Sequence, residues 1–178
     1  MSPFVSFVNN FLSWATVLGQ LIIMVSLLSL FLPTPLGKYR SWVKKNALLF
    51  CFVTALLATS GSLFYSEVAG FEPCKLCWYQ RILMYPQVIL LAVAMKKKDR
   101  GMLDSILVLS VLGAGIALYH YLLQLDLVPA LPCSAVGYSA SCSQRFVMNL
   151  GYITIPMMAL SAFVMNIFFV LVEKKHRA

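Results

Sequence analysis

A chain of 178 residues that is 61% hydrophobic and 11% charged is not composed like a water-soluble domain, in which about a quarter of residues carry charge. Most of its surface must face lipid. The formal net charge of +8 could suit nucleic acid, but the basic residues cluster between long apolar runs, so no nucleic-acid partner is expected.

Five apolar runs predict membrane-spanning helices, at Phe11 to Leu32, Ala47 to Ser66, Leu76 to Met95, Asp104 to Leu125 and Leu150 to Val172. Each is close to the ~20 residues that a helix rising 1.5 Å per residue needs to cross the hydrocarbon. The runs are continuously apolar rather than alternating, which favours helices over a barrel. The first lacks the positively charged leading region of a signal peptide, and Leu32-Pro33-Thr34-Pro35 is a poor cleavage site, so it reads as a retained helix. Orientation follows from the basic residues. Lys38, Arg40, Lys44 and Lys45 follow the first run, Lys96, Lys97, Lys98 and Arg100 follow the third, and Lys174, Lys175 and Arg177 follow the fifth. The positive-inside rule assigns these segments to the cytoplasm and the N-terminus to the outside.

Four of the five cysteines then share the outer side. Cys74 and Cys77 stand where a short outer loop enters the third helix; Cys133 and Cys142 lie in the long outer segment from Asp126 to Asn149. Disulfides persist in such a compartment, although sequence alone fixes no connectivity. The two-residue spacing of Cys74-Lys75-Leu76-Cys77 puts the sulfurs about one turn apart. The helix N-terminus and Lys75 favour the thiolate there, the species that attacks disulfides, and Pro73 disfavours helix at Glu72. A Cys133–Cys142 bond would close a ten-residue ring, worth roughly 2.5–3 kcal/mol in a loop-entropy estimate. Such a bond could be a structural staple or a partner in exchange with the first pair. Zinc binding by four thiolates ranks low, since the spacings are not those of a paired ribbon.

Arg81 follows Cys77 by four positions and Cys74 by seven, so the three share a helix face. It either snorkels to the outer headgroups or donates to an oxygen of a bound redox cofactor. Cys51 reads as a small buried hydrophobe. Ala58 to Ser62 and Gly113-Ala114-Gly115 read as close helix contacts rather than as room for a ligand. Pro86 and Pro156 are expected to kink helices. Trp78 and Tyr79 suit either stacking on a quinone or interfacial anchoring.

Cys74-Lys75-Leu76-Cys77-Trp78-Tyr79-Gln80-Arg81 resembles the C-x-L-C-x-Y-x-R signature of the DsbB family of disulfide-bond-formation proteins. The second cysteine pair, and Gly151 with Thr154-Ile155-Pro156, resemble that family's second outer loop and last helix. The resemblance spans about residues 46–178. It implies an all-α fold, a four-helix transmembrane bundle, to which residues 1–45 add one N-terminal helix and a cytoplasmic loop. It also implies residence in the bacterial inner (cytoplasmic) membrane, with the active cysteines on the periplasmic side.

By that resemblance a DsbA-like thioredoxin-fold partner attacks Cys133, Cys142 exchanges with Cys74, and Cys77 meets a membrane quinone (ubiquinone or menaquinone) assisted by Arg81. His120, near the outer end of the fourth helix, is a further candidate for quinone contact; an interfacial His between Tyr119 and Tyr121 also suits a headgroup anchor. The shorter Cys133–Cys142 spacing resembles Gram-positive relatives. By the general potentials of such couples, a DsbA-type disulfide near about −120 mV lies some 60–90 mV above a thiol pool at roughly −180 to −210 mV. Reoxidation by that pool would be uphill by roughly 3–4 kcal/mol, so a stronger oxidant dissolved in the bilayer is required. Two alternatives stay open on sequence alone: a vitamin-K-epoxide-reductase-like enzyme, and a non-redox membrane protein whose disulfides staple outer loops.

Overall fold

The computed structural model describes residues 2–31, 37–97, 100–129 and 141–177. It is all-helical: α1 spans Pro3–Phe31, α2 Gly37–Leu63, α3 Lys75–Lys97, α4 Arg100–Gln124 and α5 Ile155–Arg177. All five are long and apolar enough to cross a membrane, and the protein is a multi-pass membrane protein. Among the described residues the only β-type pairing is an isolated bridge between Asn149 and Ile153.

Helices α2 to α5 close a four-helix bundle in which α2 packs on α3, α3 on α4, α4 on α5 and α5 back on α2. The reason is legible in α4, where Leu103, Ile106, Ser110, Gly113, Ala117, His120 and Gln124 are all buried. Steps alternating between three and four residues make the seam of a bundle helix. In α3 the buried set Gln80, Met84, Gln87, Leu91 and Ala94 repeats the pattern. Lipid gives helices no hydrophobic reason to associate, so small and polar residues make the contacts. At the bundle centre Ser110 Oγ and Asn166 Nδ2 both donate to Gln87 Oε1, at 3.1 and 2.8 Å, tying α3, α4 and α5 together. A Cβ at Gly113 would fall 2.3 Å from the Phe163 ring, so α4 and α5 meet there at a distance only glycine allows. Cys51 is fully buried in the same core, as expected of a small hydrophobe.

Helix α1 lies against α5 and α2, outside the four-helix ring. It turns Phe7, Phe11, Trp14, Leu18 and Met24 outwards and buries Asn9, Ser13, Ser26 and Ser29. Its attachment is polar. Tyr65 Oη donates to Asn9 Oδ1 (2.9 Å), Asn149 Nδ2 to Ser13 Oγ (2.9 Å), Gln20 Nε2 to Ser161 Oγ (2.9 Å), and Tyr152 Oη to Gln20 Oε1 (3.0 Å).

Several boundaries depart from the sequence expectation. Helix α2 starts ten residues earlier than Ala47, so Lys38, Lys44 and Lys45 sit on a helix rather than in a loop. Its far end widens into a π-helical turn over Phe64–Val68, and the chain leaves it through Gly70 at φ +70°. Helix α5 starts at Ile155 rather than Leu150, because Leu150 and Gly151 take positive φ angles of 54° and 78° in the preceding turn. Pro156 therefore stands in the first turn, where its missing N–H breaks no bond and no kink is required. Pro86 does lie inside α3. Antiparallel threading gathers the starts of α2 and α4 and the ends of α3 and α5 at one pole, with Lys174 paired to Asp104 there. Cys74, Cys77 and Cys142 lie at the opposite pole.

Candidate functional site

The site grows from the start of α3. Pro73 keeps the preceding chain out of the helix, leaving Cys74 as the residue that caps it. The Cys74 carbonyl accepts from Trp78 N at 3.1 Å, and its Sγ accepts from Cys77 N at 3.4 Å. A thiol thus occupies the place where a Ser or Asp oxygen usually receives the third free N–H of a helix. The same geometry brings the sulfurs of Cys74 and Cys77 to 3.1 Å. Cys74 is buried, and its thiol is pushed up to about 12, first by the hydrogen bond it shares with Cys77 and then by burial, with His120 pulling the other way. The helix start was expected to favour thiolate at both cysteines; at Cys74 that expectation is reversed, because its proton is held between two sulfurs in a dry site.

Around Cys74 the neighbours come from α4 and the segment ahead of α5. His120 is 1% exposed and so is no headgroup anchor. Its Nδ1 lies 2.9 Å from Gln80 Nε2, which donates to it. That leaves Nε2 carrying the hydrogen, 3.1 Å from the Cys142 carbonyl oxygen and 3.7 Å from Cys74 Sγ. The ring holds the Cys142 backbone beside Cys74. Cys142 is itself buried in one cluster with Cys74 and Leu123, against which Leu76, Cys77 and Tyr119 pack. Cys133 lies outside the described residues. Gln124 Nε2 donates to the Gln144 carbonyl (2.9 Å), and Arg145 pairs with Asp126 (2.8 Å), fixing the chain that follows Cys142.

On its other side Cys77 opens onto a cavity of about 190 Å³ among α1, α2, α3 and α5. Arg81 faces the same space. It does not snorkel away: its Nε donates to Ser62 Oγ and its Nη2 to the Ser62 carbonyl, both at 3.0 Å. Tyr85 Oη donates to the same Ser62 Oγ at 3.2 Å, and the guanidinium carbon lies 5.2 Å from the Trp78 ring centroid. The walls are otherwise largely apolar, including the stacked rings of Tyr65, Phe71 and Phe146. A largely apolar cavity lined by one cation and one thiol, with the Glu72 carboxylate also on its wall, is suited to a flat, uncharged ring bearing carbonyl oxygens.

Some expectations fall elsewhere. His120 is not among the residues lining this cavity; it serves the Cys74 side. Trp78 and Tyr79 are about half exposed and turn outwards, as interfacial residues do. Ala58, Gly61 and Ser62, expected to serve packing, line the cavity. Gln80 was given no role from sequence and Ser62 only a packing one, yet each orients a site residue. The signal for Gln80 was an amide three positions after Cys77 inside an apolar span, where a polar side chain needs a partner. Cys74, Cys77 and His120 also bring ligand atoms within 4.8 Å of one another, a spacing that a metal ion accepts. Both imidazole nitrogens are already engaged, however, so metal binding would have to release Cys142.

A family model described as "Disulfide bond formation protein DsbB" matches residues 44–172. "Disulfide bond formation protein C" of Bacillus subtilis (strain 168) is 40% identical over 141 residues, which cover 75% of this chain and 99% of that protein. "Probable disulfide formation protein" of Oceanobacillus iheyensis is 46% identical over 119 residues, 67% of this chain and 82% of its own. A protein of the same description from Metapseudomonas resinovorans is 39% identical over 134 residues, 74% of this chain and 88% of its own. No solved structure matches the chain.

Proposed function

From the premise that this chain belongs to the DsbB family of disulfide-bond-formation proteins, we propose that it oxidises the thiols of an extracytoplasmic thioredoxin-fold partner and delivers the electrons to a membrane quinone. Family membership favours this over the epoxide-reducing and purely structural alternatives. The observation that carries it is that one cysteine pair faces two ways. Cys74 packs with Cys142 under His120, and Cys77 opens with Arg81 onto an apolar cavity.

In the proposed sequence both pairs begin as disulfides. A partner thiolate attacks Cys133 and displaces Cys142 as thiolate. The partner's second thiol then resolves that mixed disulfide and leaves oxidised, with two electrons now on Cys133 and Cys142. Cys142 next attacks Cys74, breaking the Cys74–Cys77 bond, and Cys77 is the leaving sulfur at the cavity wall. Attack by Cys133 on Cys142 then breaks the Cys142–Cys74 bond, expels Cys74 as thiolate and restores the second disulfide, which leaves the two electrons on Cys74 and Cys77. His120 positions Cys142 for its attack. Arg81, braced by Ser62, presents a fixed positive charge where a carbonyl oxygen would gather negative charge. A quinone held there would supply a two-electron, two-proton acceptor. The fit is supported by the dimensions and largely apolar lining of the cavity and by the single cation within it.

The basic pole supports a cytoplasmic placement for that end and an extracytoplasmic one for the cysteines, in the bacterial cytoplasmic membrane. The test is direct. Purified protein with decylubiquinone should consume the thiols of a reduced thioredoxin-fold partner, and Cys77→Ser should abolish quinone reduction. Quinone reduction that survives Cys77→Ser would overturn the mechanism.

A further inference from the structure

Resting on the reading of the cavity as the acceptor site, we propose that α1 is a wall of that site and that Ala15 sets how large a ring system it admits. The family model begins at residue 44, so the whole of α1 lies beyond what it describes. Yet Leu12, Ala15 and Thr16 line the cavity together with Ser62 and Arg81. The remaining walls come from α2, α3 and α5, and α1 packs against both α2 and α5. Residues 12–16 therefore stand between the cavity and the surrounding lipid.

The placement is specific rather than a loose lean of one apolar helix on another. Two polar attachments bracket the lining stretch: Asn9 receives Tyr65 Oη on one side of it, and Gln20 bonds Ser161 and Tyr152 on the other. Two glycines let the helix come close. A Cβ at Gly61 would sit 3.1 Å from Leu12 Cδ1, and one at Gly19 would sit 2.5 Å from Met165 Sδ. Trp14 stands across the helix from Leu12 and Thr16, and Phe11 and Leu18 flank Ala15 on its outer side; each of the three is more than half exposed and does not line the cavity, which is the side for lipid. Thr16 spends its hydroxyl hydrogen on the Leu12 carbonyl at 2.8 Å, so it adds little polarity to the wall. Ala15, with a single methyl, leaves space that a larger side chain would take from the occupant.

The experiment compares Ala15→Phe with Leu18→Phe, which places the same ring at an exposed position one turn away that does not line the cavity, in the whole 178-residue chain. The readouts are quinone reduction and, in a Cys74→Ser background where the quinone cannot close the Cys74–Cys77 disulfide, protection of reduced Cys77 from N-ethylmaleimide by decylubiquinone, a binding measurement that needs no turnover. Ala15→Phe should raise both the KM for decylubiquinone and its half-protecting concentration about tenfold, as overpacking a filled site does, and leave partner thiol exchange unchanged. Leu18→Phe should match the unaltered chain. Ala15→Cys keeps the test open should the Phe variant not fold: decylubiquinone should slow its labelling along with that of Cys77, and Leu18→Cys should label at an unaltered rate. If the chain with α1 unaltered neither reduces decylubiquinone nor, with Cys74→Ser, shows protection at Cys77, the acceptor reading falls and the wall falls with it. If that chain does both, but Ala15 and Leu18 variants behave alike, the acceptor reading stands and the wall alone is refuted.

Discussion

Replacing His120 by Phe keeps a buried aromatic ring, larger by one atom, and removes both of its nitrogens. The Cys142 carbonyl loses a donor at 3.1 Å and Gln80 loses an acceptor at 2.9 Å. Hydrogen bonds between membrane helices average about 0.6 kcal/mol each, and a buried group left unpaired costs roughly 1–3 kcal/mol. Only the bond to the Cys142 carbonyl bears on docking, so its loss falls between about 0.6 and 3 kcal/mol, and at 1.4 kcal/mol per factor of ten the docking of Cys142 on Cys74 should weaken roughly 3- to 140-fold. The assay is an equilibrium one. In a background with Cys51, Cys77 and Cys133 replaced by Ser, the Cys74–Cys142 disulfide is titrated in a glutathione buffer, which yields the effective concentration of one thiol at the other. His120→Gln, whose amide nitrogen can stand near the position of Nε2, should recover part of the loss. An effective concentration within twofold of the His120 protein after substitution by Phe would show that the imidazole does not hold the two cysteines together.

Two further outcomes follow from the same geometry. A raised thiol pKa leaves little thiolate below it, so in the reduced protein Cys74 should resist N-ethylmaleimide at pH 8 and label faster only as pH climbs towards about 12. Cys77→Ala removes the first cause of that shift and should speed Cys74 labelling at pH 8, read by peptide mass; equal rates would refute the shared-proton account. Gly113→Ala forces a methyl against Phe163 and should destabilise the bundle by about 1–3 kcal/mol, measured as a lowered unfolding midpoint in detergent. Gly115→Ala, where an added methyl meets nothing within 4 Å, is the comparison, and equal midpoints would contradict the close contact of α4 and α5.

The five spans were legible because the hydrocarbon demands unbroken apolar length, and hydropathy measures that directly. Their ends were less so. The stretch from Gly37 to Asn46 is too basic to count as hydrocarbon-spanning, yet Lys and Arg are good helix formers and the helix continues through them. Leu150 reads as apolar, but the left-handed turn at Leu150 and Gly151 delays α5 until Thr154 can accept from Met157 N at 3.5 Å and Met158 N at 2.9 Å. Hydropathy also carries no direction. It marked α1 as a span without showing that Asn9, Ser13 and Gln20 form its attachment, nor that Ala58 and Gly61 bound a cavity, Gly61 while also meeting Leu12 of α1. Whether small residues fill with a neighbour or leave space depends on what the facing helix supplies. At Gly113 that is the Phe163 ring; at Gly61 it is Leu12, beside which Ala15 and Thr16 line the remaining space.

The cysteine motif was more informative than its spacing suggests, because helical geometry sends its two sulfurs to different neighbours. Cys74 caps α3, so its sulfur is turned in towards the backbone and to α4. Three positions beyond Cys77 comes Gln80, which orients His120 and through it Cys142. Four positions beyond Cys77 comes Arg81, which is anchored on α2 and faces the cavity. Gln80 and Arg81 are successive residues, so they point to distinct sides of the helix, about 100° apart at 3.6 residues per turn. One turn of α3 therefore separates a thiol-exchange side from a cavity side while the two sulfurs stay 3.1 Å apart. A transfer that enters at Cys74 and leaves at Cys77 needs that arrangement: the sulfurs must touch, and the groups that react with them must not.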